Sequence, residues 1–332
     1  MKRVVGFGDF LLRLSPPGYR RFSQAQSFET CYTGAEANVC ASLAVMGQQA
    51  VFVSRVPDNP IAEAGLAELR RLNVDVSQVV RGGDRLGIYY LEKGASQRPS
   101  NVVYDRKGSG FAAARRADFD WRRILAGAGW FHFSGVTPAV GDELPAIVEE
   151  ACRTAEKLGV RISCDLNYRS RMWTVRKARK TMPQLVRHAD CLIANVWDAK
   201  NLLGVDVDED DELAVSCARI LRAYPKLKCL AMTTRGQPSA SDNTLEGLLY
   251  MKGRLYRSRR YAMHLVDRIG GGDAFAPGLI YSLGQRLSPQ KAVEFATAAG
   301  CLKHSIELDI NLSTADEVRR LADSSGCGGV LR

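Results

Sequence analysis

The run Asp267-Arg-Ile-Gly-Gly-Gly-Asp-Ala-Phe-Ala-Pro-Gly-Leu-Ile-Tyr-Ser-Leu283 holds the residues best suited to chemistry in this chain. Gly270, Gly271 and Gly272 leave their backbone N–H groups free to face one anion. They stand directly before an apolar stretch with helical spacing, and the N-terminus of a helix favours negative charge. Asp273 follows at once. Phosphoryl transfer needs this combination: fixed donors for the charge on the moving group, and a carboxylate that orients a hydroxyl and takes its proton. The same residues also describe a glycine loop with an aspartate capping a helix, and local physics weighs the two readings evenly. Pro277 falls in the first turn, where a missing N–H does least harm.

Other phosphate motifs are absent from the sequence. No Gly-x-x-x-x-Gly-Lys-Ser/Thr occurs, which excludes a P-loop, and Gly6-Phe7-Gly8 lacks a third glycine at the dinucleotide-binding spacing. Two arginines each follow a tyrosine closely: Arg106 in Tyr104-Asp-Arg and Arg169 in Asn167-Tyr168-Arg. A guanidinium binds carboxylate or phosphate in a fork; the alternative for each is an ordinary ion pair. His132, inside an apolar run, reads as a core histidine.

The elements that must position these groups alternate. Short apolar runs at 3–8, 50–56, 130–135, 160–167, 191–195 and 228–234 read as strands. Amphipathic stretches at 35–46, 60–72, 142–158, 174–187, 198–203, 211–223, 273–283 and 289–303 read as helices. Strands alternating with helices predict an α/β fold, a mostly parallel sheet covered by helices, with ligands at the carboxyl ends of the strands. Residues 10–32 and 86–112 break the pattern. They are β-rich and predict a small sheet inserted as a lid in one domain spanning 1–332. Residues 323–332 read as a loose tail. A lone small sheet could not cover Ile88, Tyr90, Val102 and Val103, so paired lids, and hence a dimer or higher homo-oligomer, are expected.

Composition narrows the classes. The chain has 332 residues, 46% of them apolar and 25% charged, with a formal net charge of +10. The basic excess gathers at 169–187 and 252–260. Solvated helix faces account for most such runs, an anionic small substrate for others, and no nucleic-acid module pattern occurs. Nine cysteines form no Cys-x-x-Cys pair; several sit in apolar runs, as in a reducing compartment. No run is long enough to span a membrane, and the N-terminus lacks a signal-peptide pattern. A cytoplasmic protein is expected.

The 267–283 segment resembles the second signature of the ribokinase-like (phosphofructokinase-B type) carbohydrate kinases. Segments 11–47, 87–109, 130–139, 165–173 and 302–306 extend the resemblance over nearly the whole chain, most strongly toward the branch acting on 2-keto-3-deoxygluconate. The resemblance implies a three-layer ribokinase-like fold with a β-sheet lid. It implies Asp273 as base, with Gly270, Gly271 and Gly272 as the anion hole. Gly34, Ala35, Glu36, Ala37 and Asn38 would line the sugar site, joined by Tyr89, Tyr104, Arg106, Arg169 and Asp309. Asn167, Tyr168, Arg169, Asn195, Thr234, Arg235, Gly236 and Ser239, with Gly270 and Gly272, would border ATP. Asn195 and Asp198 would hold Mg²⁺ through water. The chain departs from the family's pattern at Thr33, where a glycine is usual; at Asp198, for a glutamate; at Leu308-Asp309, for Gly-Asp; and at Pro277.

The expectation is therefore ATP-dependent phosphorylation of the 6-hydroxyl of 2-keto-3-deoxy-D-gluconate. A kinase for fructose, a nucleoside or 2-keto-3-deoxygalactonate stands as one alternative. A non-catalytic sugar-acid sensor on the same fold stands as another.

Overall fold

A computed structural model of the chain describes residues 2–324. Of the expected tail, residues 325–332 lie outside the described residues, and Asp323 still belongs to the helix Ala315–Asp323.

A ten-stranded sheet forms the frame. Its strands run in the order Arg254–Arg257, Asp242–Met251, Cys229–Gly236, Cys191–Ile193, Arg161–Asp165, Trp130–Ser134, Val4–Phe7, Ala50–Val53 and Val74–Asp75, with Tyr261–His264 paired to Asp242–Met251. From Cys229–Gly236 to Val74–Asp75 every pairing is parallel. Buried on both faces, these strands are continuous apolar runs such as Val-Val-Gly-Phe and Cys-Leu-Ile, as covered parallel strands must be. Six cysteines, at 40, 152, 164, 191, 217 and 229, are buried in the sheet or in the helices that cover it, and Cys31 is buried in a separate strand, Glu29–Thr33. His132 is also buried, and burial lowers its pKa to about 4, so it is a neutral core residue that bonds Ser163.

The antiparallel end of the sheet was not anticipated. The basic stretch 252–260 turns between Asp242–Met251 and Arg254–Arg257, where alternating charge hid the strand pattern. The other basic stretch includes the helix Val175–Val186. Its Ala178, Met182, Leu185 and Val186 face inward, while Arg176, Lys177, Arg179 and Lys180 are exposed.

The lid sheet has four strands in the order Glu29–Thr33, Leu11–Ser15, Gly87–Glu92 and Asn101–Asp105. Leu11–Ser15 pairs in parallel with Gly87–Glu92, which joins the two inserted segments. Leu11, Tyr89 and Leu91 form its own small apolar cluster. Thr33 ends the lid strand Glu29–Thr33 and Gly34 opens the helix Ala35–Val45. The lid therefore hinges directly onto the site helix.

Candidate active site

Strand ends, the lid and two helix N-termini enclose one cavity of about 610 Å³. The helix Gly271–Gly284 points its N-terminus into it. Gly270 sits in the left-handed region at φ 84°, and a Cβ there would lie 2.0 Å from the Asp309 carbonyl oxygen. At Gly271 a Cβ would lie 2.3 Å from the His304 ring and 2.8 Å from Arg235. At Gly272 nothing stands within 4 Å. The first two glycines are thus demanded by close packing, while the third leaves open space above the helix end.

Asp273 lines this cavity from the first turn of the helix, and its Oδ2 accepts a 2.8 Å hydrogen bond from Asn38 Nδ2. Burial pushes its carboxyl above the ordinary aspartate value; the Asn38 bond and Arg169 pull the other way. Asp165, on the same wall, is pushed up to about 7 by burial and by the charge of Asp273. Its Oδ1 accepts from the Asn167 N–H at 3.0 Å, a turn that lets Asn167 adopt φ 35° and swings Tyr168 and Arg169 into the cavity.

Three guanidiniums, Arg169, Arg235 and Arg268, line the cavity. Burial, with the charges of Arg268 and Arg169, lowers Arg235 to about 10. His304, which contacts Arg235 at 3.4 Å, is pushed down to about 4 by burial and by that arginine, so it adds no charge near pH 7. Clustered like charges are costly unless an anion meets them. The cavity is built for several negative oxygens.

The lid contributes Tyr89, Tyr104 and Arg106. Arg106 lies over the Tyr104 ring at 4.6 Å. Its Nε and Nη1 have no hydrogen-bond acceptor, and the Asp9 carboxylate is 3.8 Å away. Asp9 is buried with both oxygens unbonded, and burial raises it to about 7 despite Arg106. Two unspent N–H donors on a cavity wall suit a carboxylate ligand.

Most of the residues named from sequence meet here: Gly34, Ala35, Asn38, Tyr89, Tyr104, Arg106, Asn167, Tyr168, Arg169, Asn195, Asp198, Arg235, Gly270 to Asp273, and Asp309. Five do not. Glu36 and Ala37 point away, because a helix turns about 100° per residue and only Gly34, Ala35 and Asn38 share the cavity face. Glu36 instead bonds Ser134 N, Ser134 Oγ and Thr137 Oγ1 at 2.7–2.9 Å, tying the helix to a neighbouring strand end. Thr234 and Gly236 alternate outward along their strand, while Thr233 and Arg235 face in. Ser239 bonds Asp242 beyond the strand end. Asn195 and Asp198 do line the cavity, yet they also cap each other's backbone at 2.7 and 3.1 Å.

Sequence reading passed over Leu11, Asp165, Thr233 and Arg268, all lining residues. The signal for Asp165 was its place at a strand end beside Asn167. Arg268 had no signal beyond its adjacency to the glycines. Arg13 was missed because its strand reads as lid surface. It is buried, and it binds Asp309 Oδ1 at 2.5 Å and Asp267 Oδ2 at 2.8 Å. Among the described residues no group of three or more His, Cys, Asp or Glu side chains could cage a metal.

Comparison with known proteins agrees with this geometry. The profile described as pfkB family carbohydrate kinase matches residues 1–312. A 2-dehydro-3-deoxygalactonokinase of Haloferax volcanii is 32% identical over 327 residues, covering 98% of each chain. A 2-dehydro-3-deoxygluconokinase of Bacillus subtilis is 26% identical, over 90% of this chain and 89% of that one. The crystal structure of 2-dehydro-3-deoxygluconokinase from Thermotoga maritima superimposes with a TM-score of 0.94 at 46% identity, covering 97% of this chain and 98% of that one.

The glycines give a graded prediction. Gly271→Ala should push against His304 and Arg235 and lower the thermal midpoint, with a cost of about 1–3 kcal/mol. Gly272→Ala should leave the midpoint nearly unchanged. Equal midpoints in differential scanning calorimetry would contradict the packing argument.

Proposed function

The chain belongs to the pfkB family of carbohydrate kinases, and from that premise we propose that it transfers the terminal phosphoryl group of ATP to the 6-hydroxyl of 2-keto-3-deoxy-D-gluconate. The observation that carries this reading is one cavity holding Asp273 at the end of three glycines, three arginines, and a separate lid arginine with unspent donors. The first group suits phosphoryl transfer and the last suits a sugar acid. The 46% identity to a 2-dehydro-3-deoxygluconokinase, the same compound under its other name, supports the choice of substrate.

In this mechanism Arg106 anchors the substrate carboxylate, with Tyr89 and Tyr104 packing the lid side of the sugar. Asn38 and Asp273 meet the hydroxyl end. Asp273 orients the 6-hydroxyl and accepts its proton late, because a free alcohol is too weak an acid for a carboxylate to ionise beforehand. The N–H groups of Gly270 to Gly272 stabilise charge on the moving phosphoryl group. Arg169, Arg235 and Arg268 take up the donor phosphates, and Asn167 and Asn195 border them.

Mg²⁺ would neutralise phosphate charge when bound. Asp165 and Asp198, each with part of its carboxylate committed to backbone N–H groups, fit an ion held through water and phosphate oxygens rather than a protein cage. No helix among the described residues is long and apolar enough to cross a membrane, and we place the reaction in the cytoplasm.

Asp273→Asn should lower kcat by about two to four orders of magnitude while the sugar acid still binds by calorimetry; full turnover would overturn the assignment. Because the base must be ionised and its pKa is raised, the wild-type kcat/KM should fall with decreasing pH at a point above the usual aspartate value of about 4. An acid limb at or below that value would contradict a buried base.

Arg106→Ala should raise KM for the sugar acid at least tenfold and leave KM for ATP alone, measured by ADP release. An unchanged KM for the acid would move the carboxylate site elsewhere.

Of Ile88, Tyr90, Val102 and Val103, only Val103 is exposed, at 46%; Ile88 and Tyr90 are half-buried and Val102 lines the cavity, while Tyr19 and Phe28 of the lid segment are exposed at 52% and 41%. We assign this face to a second copy of the chain, and light scattering at micromolar concentration should give at least a dimer; a monomer would refute it.

A further inference from the structure

Thr33 ends the lid strand beside the site helix, and the structure gives its hydroxyl a place in an unbroken chain of polar contacts. Starting from the lid, Arg13 Nη1 donates to Asp309 Oδ1 at 2.5 Å. Asp309 Oδ2 lies 2.7 Å from Thr33 Oγ1. Thr33 Oγ1 lies 3.0 Å from Asn38 Oδ1. Asn38 Nδ2 donates to Asp273 Oδ2 at 2.8 Å. Thr33, Asn38, Asp309 and Arg13 are all buried.

The hydroxyl has one proton and two neighbouring acceptors. Asp309 has other donors: Arg13 holds one of its oxygens, and the Tyr89 hydroxyl donates to the oxygen nearest Thr33. The Thr33 proton is therefore shared between the two acceptors that flank it, Asp309 Oδ2 and Asn38 Oδ1. That donation matters because an amide has two chemically different ends. With its oxygen held by Thr33, Asn38 must turn its NH₂ toward Asp273. Without that donor the Asn38 oxygen is left unpaired, and only Asp273 itself still holds the amide in place.

We propose that Thr33 is a positioning residue for phosphoryl transfer, fixing the Asn38 amide so that it donates to Asp273 and holds that carboxylate ionised and aimed. The proposal rests on Asp273 acting as base. Arg13, Asp309 and Tyr89 anchor the far end of the chain, so the lid strands and the base share one hydrogen-bonded system. The charged groups that also act on Asp273 are Arg169, Arg235, Lys303, Asp165 and Asp309; of these Asp309 bonds Thr33, and it keeps Arg13 and Tyr89 when the Thr33 hydroxyl is removed.

The test compares Thr33→Val, which keeps the shape and removes the hydroxyl, with Thr33→Ser, which keeps the hydroxyl, in steady-state assays of ADP release from pH 4 to 9. Thr33→Val should lower kcat about tenfold with KM for ATP unchanged. Its acid limb should move to higher pH, because Asp273 loses a donor that favours the charged form. Thr33→Ser should restore both. Wild-type kcat and an unmoved acid limb in Thr33→Val would overturn the proposal while leaving Asp273 as base. So would a serine variant as slow as the valine one. Absence of sugar-acid phosphorylation by the wild-type protein would sink the parent reading instead. Should Thr33→Val not fold, Thr33→Ala takes its place with the same expectations, and unfolding of both would assign Thr33 a purely structural part and end the proposal.

Discussion

Two carboxylates and a guanidinium are buried together beneath the turn at Gly270, and the site depends on their staying so. Asp267 and Asp309 come from the segments that flank Gly270 in space, and Arg13 comes from the lid. Taking three charges out of water is expensive, and only close geometry with further hydrogen bonds repays it. Those bonds are present. Asp267 accepts from the Ile269 and Leu308 N–H groups, and Asp309 from the Thr33 and Tyr89 hydroxyls. Burial opposes the Arg13 charge, yet Asp309, Tyr89 and Asp267 together push its pKa above the ordinary arginine value. The cluster fixes the 267–270 turn from one side and the 308–309 turn from the other. Leu308 accordingly accepts φ 66°, a conformation that a branched side chain avoids unless its surroundings impose it.

Around this buried charge cluster the cavity is unbalanced. Arg169, Arg235 and Arg268 face it together, and two carboxyls, Asp165 and Asp273, are held above their ordinary values by burial. Each group is uncomfortable alone. A phosphate chain would relieve the arginines, and a hydroxyl would give Asp273 a partner. The lid adds a third imbalance, the Asp9–Arg106 pair at 3.8 Å without a hydrogen bond. Binding energy is therefore stored as unsatisfied polar groups at defined places, which is how a site favours charge that develops during reaction.

Glycine use follows the same logic of close approach. Gly34 lets the helix start against the Asp9 carbonyl, where a Cβ would stand 2.1 Å away. Gly270 does so against the Asp309 carbonyl. Both lie where lid and core touch.

The sequence by itself determined the alternation of strands and helices, the inserted β-rich segments, and the run Gly270 to Asp273. Those signals are local: apolar periodicity, turn residues and a glycine run before a helix. It also placed Asn38, Arg106 and Arg169 in the site, through a pattern spread along the chain. It misjudged side chains whose direction depends on phase, since Glu36 and Thr234 each sit one residue from a lining position. It missed the antiparallel strands near residues 242–264, where charged positions broke the apolar pattern. Only the tertiary structure decided which charges meet. Arg13 and Asp309 lie 296 positions apart in sequence, and no local pattern relates them. Their pairing arises when the lid strand folds back over the helix end. Electrostatics at a few ångströms then converts an exposed-looking strand residue into the buried counter-charge that holds the turn at Gly270.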